Sequence, residues 1–272
     1  MTMSDPAVNE SETIARLASA GRAAAGLAHE VGNPLCAITN YAHSLEEKVS
    51  PELRPIVQAM QREVARIQRM MDGLTEYARP RAPGMRGADV NVALHDTLRF
   101  LGDQGIFRRI TLDEQLDSAG LPVDATALEL EQAFANLLLN AADAMPAGGR
   151  LALWTRCISR ATLADGALRR ATDAAAPKEL RRDERLERWL AGHDAEQVVK
   201  IVVADSGHGI ERGHEERIFE PFVTTKAPED GTGLGLAIVR GIVELVGGLI
   251  WVQPSREGGA AFHIVLPVDS PR

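Results

Sequence analysis

Four clusters of residues in this 272-residue chain have types and spacings that could do chemistry. Asp205-Ser206-Gly207-His208-Gly209 directly follows the apolar run Val198 to Val203. A carboxylate at a strand end can accept a hydrogen bond from an exocyclic amine, and adjacent glycines let backbone approach a flat ring. Gly231-Thr232-Gly233-Leu234-Gly235 opens a helical pattern. Glycines there expose backbone N–H groups where a helix start favours anions, which makes a phosphate cradle. Its third glycine comes too early for a dinucleotide GxGxxG, and no Gly-Lys-Ser/Thr of a P-loop occurs. Asn136 and Asn140 stand four apart, on one helix face, in the run Gln132 to Asp143. A neutral amide oxygen such as that of Asn140 suits Mg²⁺ shared with phosphate oxygens and water. Ala28-His29-Glu30-Val31-Gly32-Asn33-Pro34-Leu35 places an imidazole beside a carboxylate on a helix. HExxH zinc chemistry fails there, because the fourth residue after His29 is Asn33.

These clusters need elements to hold them. From Ser11 to Arg79 the stripe steps by three or four: Ile14, Leu17, Gly21, Ala24, Ala28, Val31, Leu35, Ile38, Ala42, Leu45 and Val49, then Leu53, Val57, Met60, Val64, Ile67, Met71, Leu74 and Ala78. Ser50-Pro51 reads as the break, N-cap and first position of the second helix. The pattern predicts a helical hairpin with one greasy face, covered by a second copy in a four-helix dimer. Downstream, helices are predicted over Val92–Leu101, over Asp124–Met145 with Asp124 as cap, and over Thr232–Val246. Strands are predicted over Ile110–Leu116, Gly149–Arg156, Gln197–Ala204, Leu249–Gln253 and Ala261–Leu266. This is an α/β sandwich of one helical layer on one sheet. Residues 157–196, rich in Ala, Arg, Asp and Glu, read as an insertion between two strands, either solvated or a regulatory surface; Leu180, Leu186, Trp189 and Leu190 form the inner face of a helix over Lys178–Ala191.

Composition narrows the function. Hydrophobic residues are 45% and charged residues 25%, the balance of a globular chain. Net charge −8 gives no general nucleic-acid footprint. No apolar run is long enough for membrane insertion, and the N-terminus is not a signal peptide. The two cysteines, Cys36 and Cys157, match no metal spacing, which fits a cytoplasmic protein. Cys36 lies one heptad after His29 and reads as a small buried thiol in the bundle seam.

Taken together and in order, the clusters resemble those of two-component sensor histidine kinases, in particular the nitrogen-regulator-like branch. His29–Leu35 matches the H box, Asn136–Asn140 the N box, Asp205–Gly209 the first glycine box, Phe219-Glu220-Pro221-Phe222 the F box and Gly231–Gly235 the second glycine box. The resemblance implies an α + α/β chain: a dimeric helical hairpin over residues 11–82 after a short leader (1–10), then a Bergerat-type ATP-binding sandwich over 88–270. It implies that Asp205 with Gly207 and Gly209 binds adenine. Asn136, Asn140 and Asp143 would serve the nucleotide and Mg²⁺, with Asn140 as metal ligand. Gly231, Thr232, Gly233, Leu234, Gly235 and Lys226 would face phosphate. Residues 211–230 would form a lid anchored by Phe219 and Phe222. Fold relatives that hydrolyse ATP carry Glu where Asn136 stands, so water is left unactivated and His29 becomes the acceptor, with Glu30 taking its proton. Transfer to an aspartate of a response regulator receiver domain is implied, and the Glu30-Val-Gly-Asn33 pattern implies a phosphatase activity using Asn33. Where relatives often carry Thr before the last strand, this chain has Gly259-Ala260-Ala261-Phe262. With little chain before Ser11, the signal is expected from an upstream sensor protein, the leader or the insertion.

Overall fold

The computed structural model describes residues 34, 35, 37–42, 44–46, 48–50, 52–77, 85–164, 184–224, 232–256 and 258–269. They divide into two compact units, Met1–Ala82 with Arg217–Ile238, and Pro83–Glu216 with Val239–Arg272. Among the described residues no helix is long and apolar enough to cross a membrane.

The first unit begins with a helical hairpin. Its leading helix, α1, is seen at helical residues within 34–46 and is followed by α2 (Arg54–Tyr77). The arms are joined where Gln58 Nε2 and Gln61 Nε2 donate to the Glu46 carboxylate at 3.1 and 2.9 Å. The second arm starts at Arg54, not at Pro51, because Leu53 N–H turns back to the Ser50 carbonyl at 3.0 Å and delays the first helical bond. The apolar stripe divides into two heptad rows. Leu35, Ala42, Val57 and Val64 are buried, whereas Ile38, Leu45, Leu53, Met60 and Ile67 stay exposed.

The second unit is a five-stranded sheet with helices. Strand order is β2 (Ile110–Gln115), β4 (Gly149–Ser159), β5 (Gln197–Asp205), β7 (Ala260–Pro267), β6 (Leu249–Pro254). Only the β2–β4 pair is parallel. That parallel pair needs a crossover, supplied by β3 (Pro122–Val123) and α4 (Ala127–Asp143). β1 (Ala88–Asp89) pairs with β3 and leads into α3 (Val90–Asp103). Asp89 caps α3, accepting from Asn91 N and Val92 N at 2.8 and 3.0 Å, while its other oxygen takes Leu121 N–H at 2.6 Å. The cap of α4 is Thr126 rather than Asp124. Thr126 and Glu129 form a reciprocal capping box, and Asp124 is drawn away into a pair with Arg86.

The sheet's core side is lined by Leu151, Leu153, Val199, Ile201, Val203, Ile264 and Leu266, all buried. Alternate residues turn to the opposite face. There Val198, Trp251 and Val265 pack with Leu163, Leu186 and Trp189 in a second apolar cluster. Leu163 belongs to helical residues 160–164 (α5), and Leu186 and Trp189 to α6 (Glu184–Gly192). The described parts of the segment between β4 and β5, residues 160–164 and α6, are therefore docked on the sheet, residues 165–183 lie outside the described residues, and β4 runs on to Ser159, past the Cys157 expected to open the insertion. The remaining helix, α7, spans Gly235–Leu245. A polar link ties β4 to α3 and to the chain after β2: Thr155 Oγ1 donates to Asn91 Oδ1 at 2.7 Å and receives Asp117 N–H at 3.0 Å.

Candidate functional site

Asp205 is the last residue of β5 and is only 2% exposed. Its Oδ1 accepts N–H bonds from Gly207 at 2.8 Å and Ala260 at 3.2 Å. No described residue donates to its Oδ2. A buried carboxylate held by backbone on one oxygen and uncommitted on the other is set to receive an amine. The surroundings are as close as backbone allows. A Cβ at Gly259 would lie 2.0 Å from Asp205 Oδ1, and one at Gly207 would lie 2.6 Å from the Ala144 carbonyl oxygen. Gly209 has φ +71, a conformation that side chains disfavour. Ser206 pins the turn to β4, its Oγ accepting Arg150 N–H at 2.9 Å.

Ala144 is the C-cap residue of α4, so the Asp205 turn rests against the end of the helix that carries Asn136, Asn140 and Asp143. Asn136 donates its Nδ2 to the Gln132 carbonyl at 3.0 Å, and its side chain is half-buried like that of Asn140. Asp143, one turn on, is exposed. Among the described residues no group of three or more His, Cys, Asp or Glu could cage a metal ion. That donor set fits Mg²⁺ carried in with phosphate oxygens and its own waters, which asks the protein for one or two neutral oxygens.

The other predicted residues form a second cluster, in the unit containing Arg217–Ile238. Phe219 ends a 3-10 turn (Arg217–Phe219) and is buried, as is Leu234. Phe222 N–H donates to the Gly233 carbonyl at 2.9 Å, joining the two motifs. A Cβ at Gly233 (φ +67) would come within 2.5 Å of Phe222 C. Phe222 is not the side-chain anchor that was expected. Its φ of 68 reverses the chain to bring the N–H to Gly233, and this leaves the ring exposed. Thr232 Oγ1 accepts Leu234 N–H at 3.4 Å, and Gly235 opens α7.

His29, Glu30, Asn33, Cys36, Lys226 and Gly231 lie outside the described residues. Sequence reasoning did not include Gly259 among the site residues, although the pair Gly258-Gly259 before a strand signalled a close approach. Ala260 was read there only as a missing Thr, yet its backbone N–H supplies a bond to Asp205. Cys157 is free, and burial, then the nearby Asp117 charge, pushes its thiol pKa up, so it is a poor nucleophile.

Comparison with known proteins agrees with this arrangement. Residues 125–270 match the family of histidine kinase-, DNA gyrase B- and HSP90-like ATPases, and residues 19–83 match the His Kinase A (phospho-acceptor) domain. The signal transduction histidine-protein kinase AtoS of Escherichia coli K12 is 30% identical over 255 residues, 93% of this chain and 36% of its own length. The sensor histidine kinase ZraS of Escherichia coli O157:H7 is 30% identical over 259 residues, covering 94% and 48%. The sensor kinase CckA of Brucella abortus is 31% identical, covering 93% and 24%. The chain thus spans less than half the length of these relatives. Among solved structures, full-length ShkA in complex with AMPPNP shares the fold, with TM-score 0.60 and 24% identity over 93% of this chain and 47% of that one. A phospho-acceptor helical domain followed by a GHKL-type α/β sandwich places this chain in the sensor histidine kinases of two-component systems.

Proposed function

We propose that the chain transfers the γ-phosphoryl group of ATP to His29 and passes it to an aspartate of a response regulator receiver domain. The observation that carries this reading is the buried Asp205 carboxylate, with one oxygen fixed by Gly207 and Ala260 N–H groups and glycine on two sides. That is a slot for a flat, amine-bearing base. In our reading Asp205, Gly207 and Gly209 hold adenine. Gly231, Thr232, Gly233, Leu234, Gly235 and Lys226 face the phosphates, and Phe219 seats the connecting segment. Asn140 is the ligand for Mg²⁺, with Asn136 and Asp143 beside it. The ion, when bound, neutralises phosphate charge during transfer.

Asn136 supports acceptor choice. Its amide N–H is spent on the Gln132 carbonyl, and an amide oxygen is no general base, so water is not activated at this position. His29 then competes as nucleophile. Glu30 orients its ring and accepts the proton released as the N–P bond forms, while ADP departs. Asn33 orients water for the reverse task, hydrolysis of the regulator's acyl phosphate. The hairpin is taken over 11–82 and the nucleotide domain over 88–270, with the exposed heptad row of Leu45, Leu53, Met60 and Ile67 covered by a second copy in a homodimer. An upstream sensor protein supplies the signal. A reducing, ATP-supplied compartment, the cytoplasm, suits both this chemistry and the free Cys157 thiol.

The test is incubation with γ-labelled ATP and Mg²⁺. Acid-labile label on the protein, absent in His29→Gln and chased by a receiver domain, is the expected result. Free phosphate with unlabelled protein would overturn the reading in favour of an ATPase.

A further inference from the structure

Inside the sheet unit, three parts of the chain meet at one hydroxyl beside the Asp205 turn. Ser206 N–H donates to the Arg150 carbonyl at 3.1 Å, and Ser206 Oγ accepts Arg150 N–H at 2.9 Å. This pair carries the antiparallel β4–β5 ladder one rung past Leu151 and Asp205, with a side-chain oxygen in the place of a carbonyl. In the other direction the hydroxyl donates to Met145 Sδ at 3.5 Å. Met145 is buried and lies one residue beyond Ala144, the C-cap of α4. The junction is closed to further atoms. A Cβ at Gly149 would lie 2.5 Å from Met145 Sδ and 2.6 Å from Ser206 Oγ, and one at Gly207 would lie 2.7 Å from Ala144 Cβ. Ala144 N–H bonds to the Asn140 carbonyl at 3.1 Å, one turn back along α4. The Ser206 side chain is therefore the polar tie between the turn that follows β5 and the end of the helix that carries Asn140. The Asp205 carboxylate is held independently of it, through the Gly207 and Ala260 N–H groups.

We propose that Ser206 is a positioning residue, whose hydroxyl sets the spacing between the Asp205 turn and the end of α4. This role rests on the reading of Asp205 as the adenine site and Asn140 as the Mg²⁺ ligand. A nucleotide that reaches both places must match their separation, and a separation fixed in advance leaves less freedom to lose on binding. A ligand that reaches only the first does not sense it. Without the hydroxyl, Asp205 keeps its two backbone bonds while the turn is free to shift against α4. Ser206 thus acts on affinity for the whole Mg²⁺-nucleotide and not on affinity for the base.

The test uses the full chain and four proteins: wild type, Ser206→Ala, Met145→Leu and Asp205→Asn. Calorimetry gives the affinity for ATP with Mg²⁺ and, by displacement, for adenosine, and circular dichroism checks the fold. Ser206→Ala is expected to weaken ATP binding about fivefold, the worth of one or two neutral hydrogen bonds, and to leave adenosine within about twofold of wild type. Met145→Leu, similar in volume, should show the same split at about twofold for ATP, because a thioether is a weak acceptor. The spacing role is overturned if Ser206→Ala binds ATP like wild type, or if ATP and adenosine lose equally, since the hydroxyl would then serve the base slot alone. If Ser206→Ala does not fold, the same two affinities in Met145→Leu decide by the same rule. A separate outcome, Asp205→Asn binding adenosine as tightly as wild type, would remove the base-site reading on which the spacing role depends.

Discussion

The turn after β5 and the turn joining Phe222 to Gly233 are both glycine-rich, yet they are held differently. Asp205 is buried, accepts two backbone N–H bonds on one oxygen, and sits where Cβ atoms at Gly207 and Gly259 would collide with main chain or with its own carboxylate. The Phe222 turn has one backbone bond to Gly233, a positive φ on a bulky residue and an exposed ring. The first is fixed through a buried side chain; the second, among its described residues, is fixed through main chain packed against Gly233. In the function proposed above, the first turn holds the base and the second faces the phosphates.

The comparison is broken most severely at Asp205. Asp205→Asn keeps the shape, removes the charge and presents an N–H where an acceptor is needed. About a 100-fold loss of ATP affinity is expected by calorimetry, with the fold retained by circular dichroism. Gly233→Ala strikes the other turn. The added methyl meets Phe222 backbone at a φ that alanine resists, so KM for ATP should rise about tenfold while the melting temperature falls little. If instead Gly233→Ala unfolds the protein, the second turn is as firmly built as the first.

A different contrast lies in the hairpin, between the buried row of Val57 and Val64 and the exposed row of Leu53, Met60 and Ile67. Met60→Glu should weaken self-association at least about tenfold in analytical ultracentrifugation and leave ATP affinity unchanged. The smallest effect is expected at Asp117. Backbone N–H groups, Cys157 first and then Ala119, hold its carboxyl pKa below the ordinary 3.8. Its folded pKa lies below the unfolded one, so its contribution to stability is present above the ordinary value and fades as pH falls through the depressed one. Asp117→Asn should flatten the acid limb of a stability profile between those two values, and leave neutral pH nearly unaffected.

Much of this arrangement was readable before any coordinates. The strands of the sheet announce themselves because β5 and β7 are apolar runs between turn residues, and such runs have few other solutions. Helix starts were less readable where two cap-type residues compete. Asp124 and Thr126 both qualify, and only Glu129, three residues after Thr126, distinguishes them. The Ala260 bond to Asp205 spans 55 residues of chain, and no local pattern encodes it. The docking of α6 was half readable: Leu186 and Trp189 mark an inner face, but nothing in their spacing says which surface they will meet.

The placement of Trp189 has a practical consequence. The chain has three tryptophans, and Trp154 and Trp251 are both in strands of the sheet. Replacing those two with phenylalanine would leave a single indole, clasped to the Gly247 carbonyl and stacked on an imidazole. Its emission would shift as that clasp opens, so the chain carries its own optical gauge of helix α6, readable in real time without any attached dye.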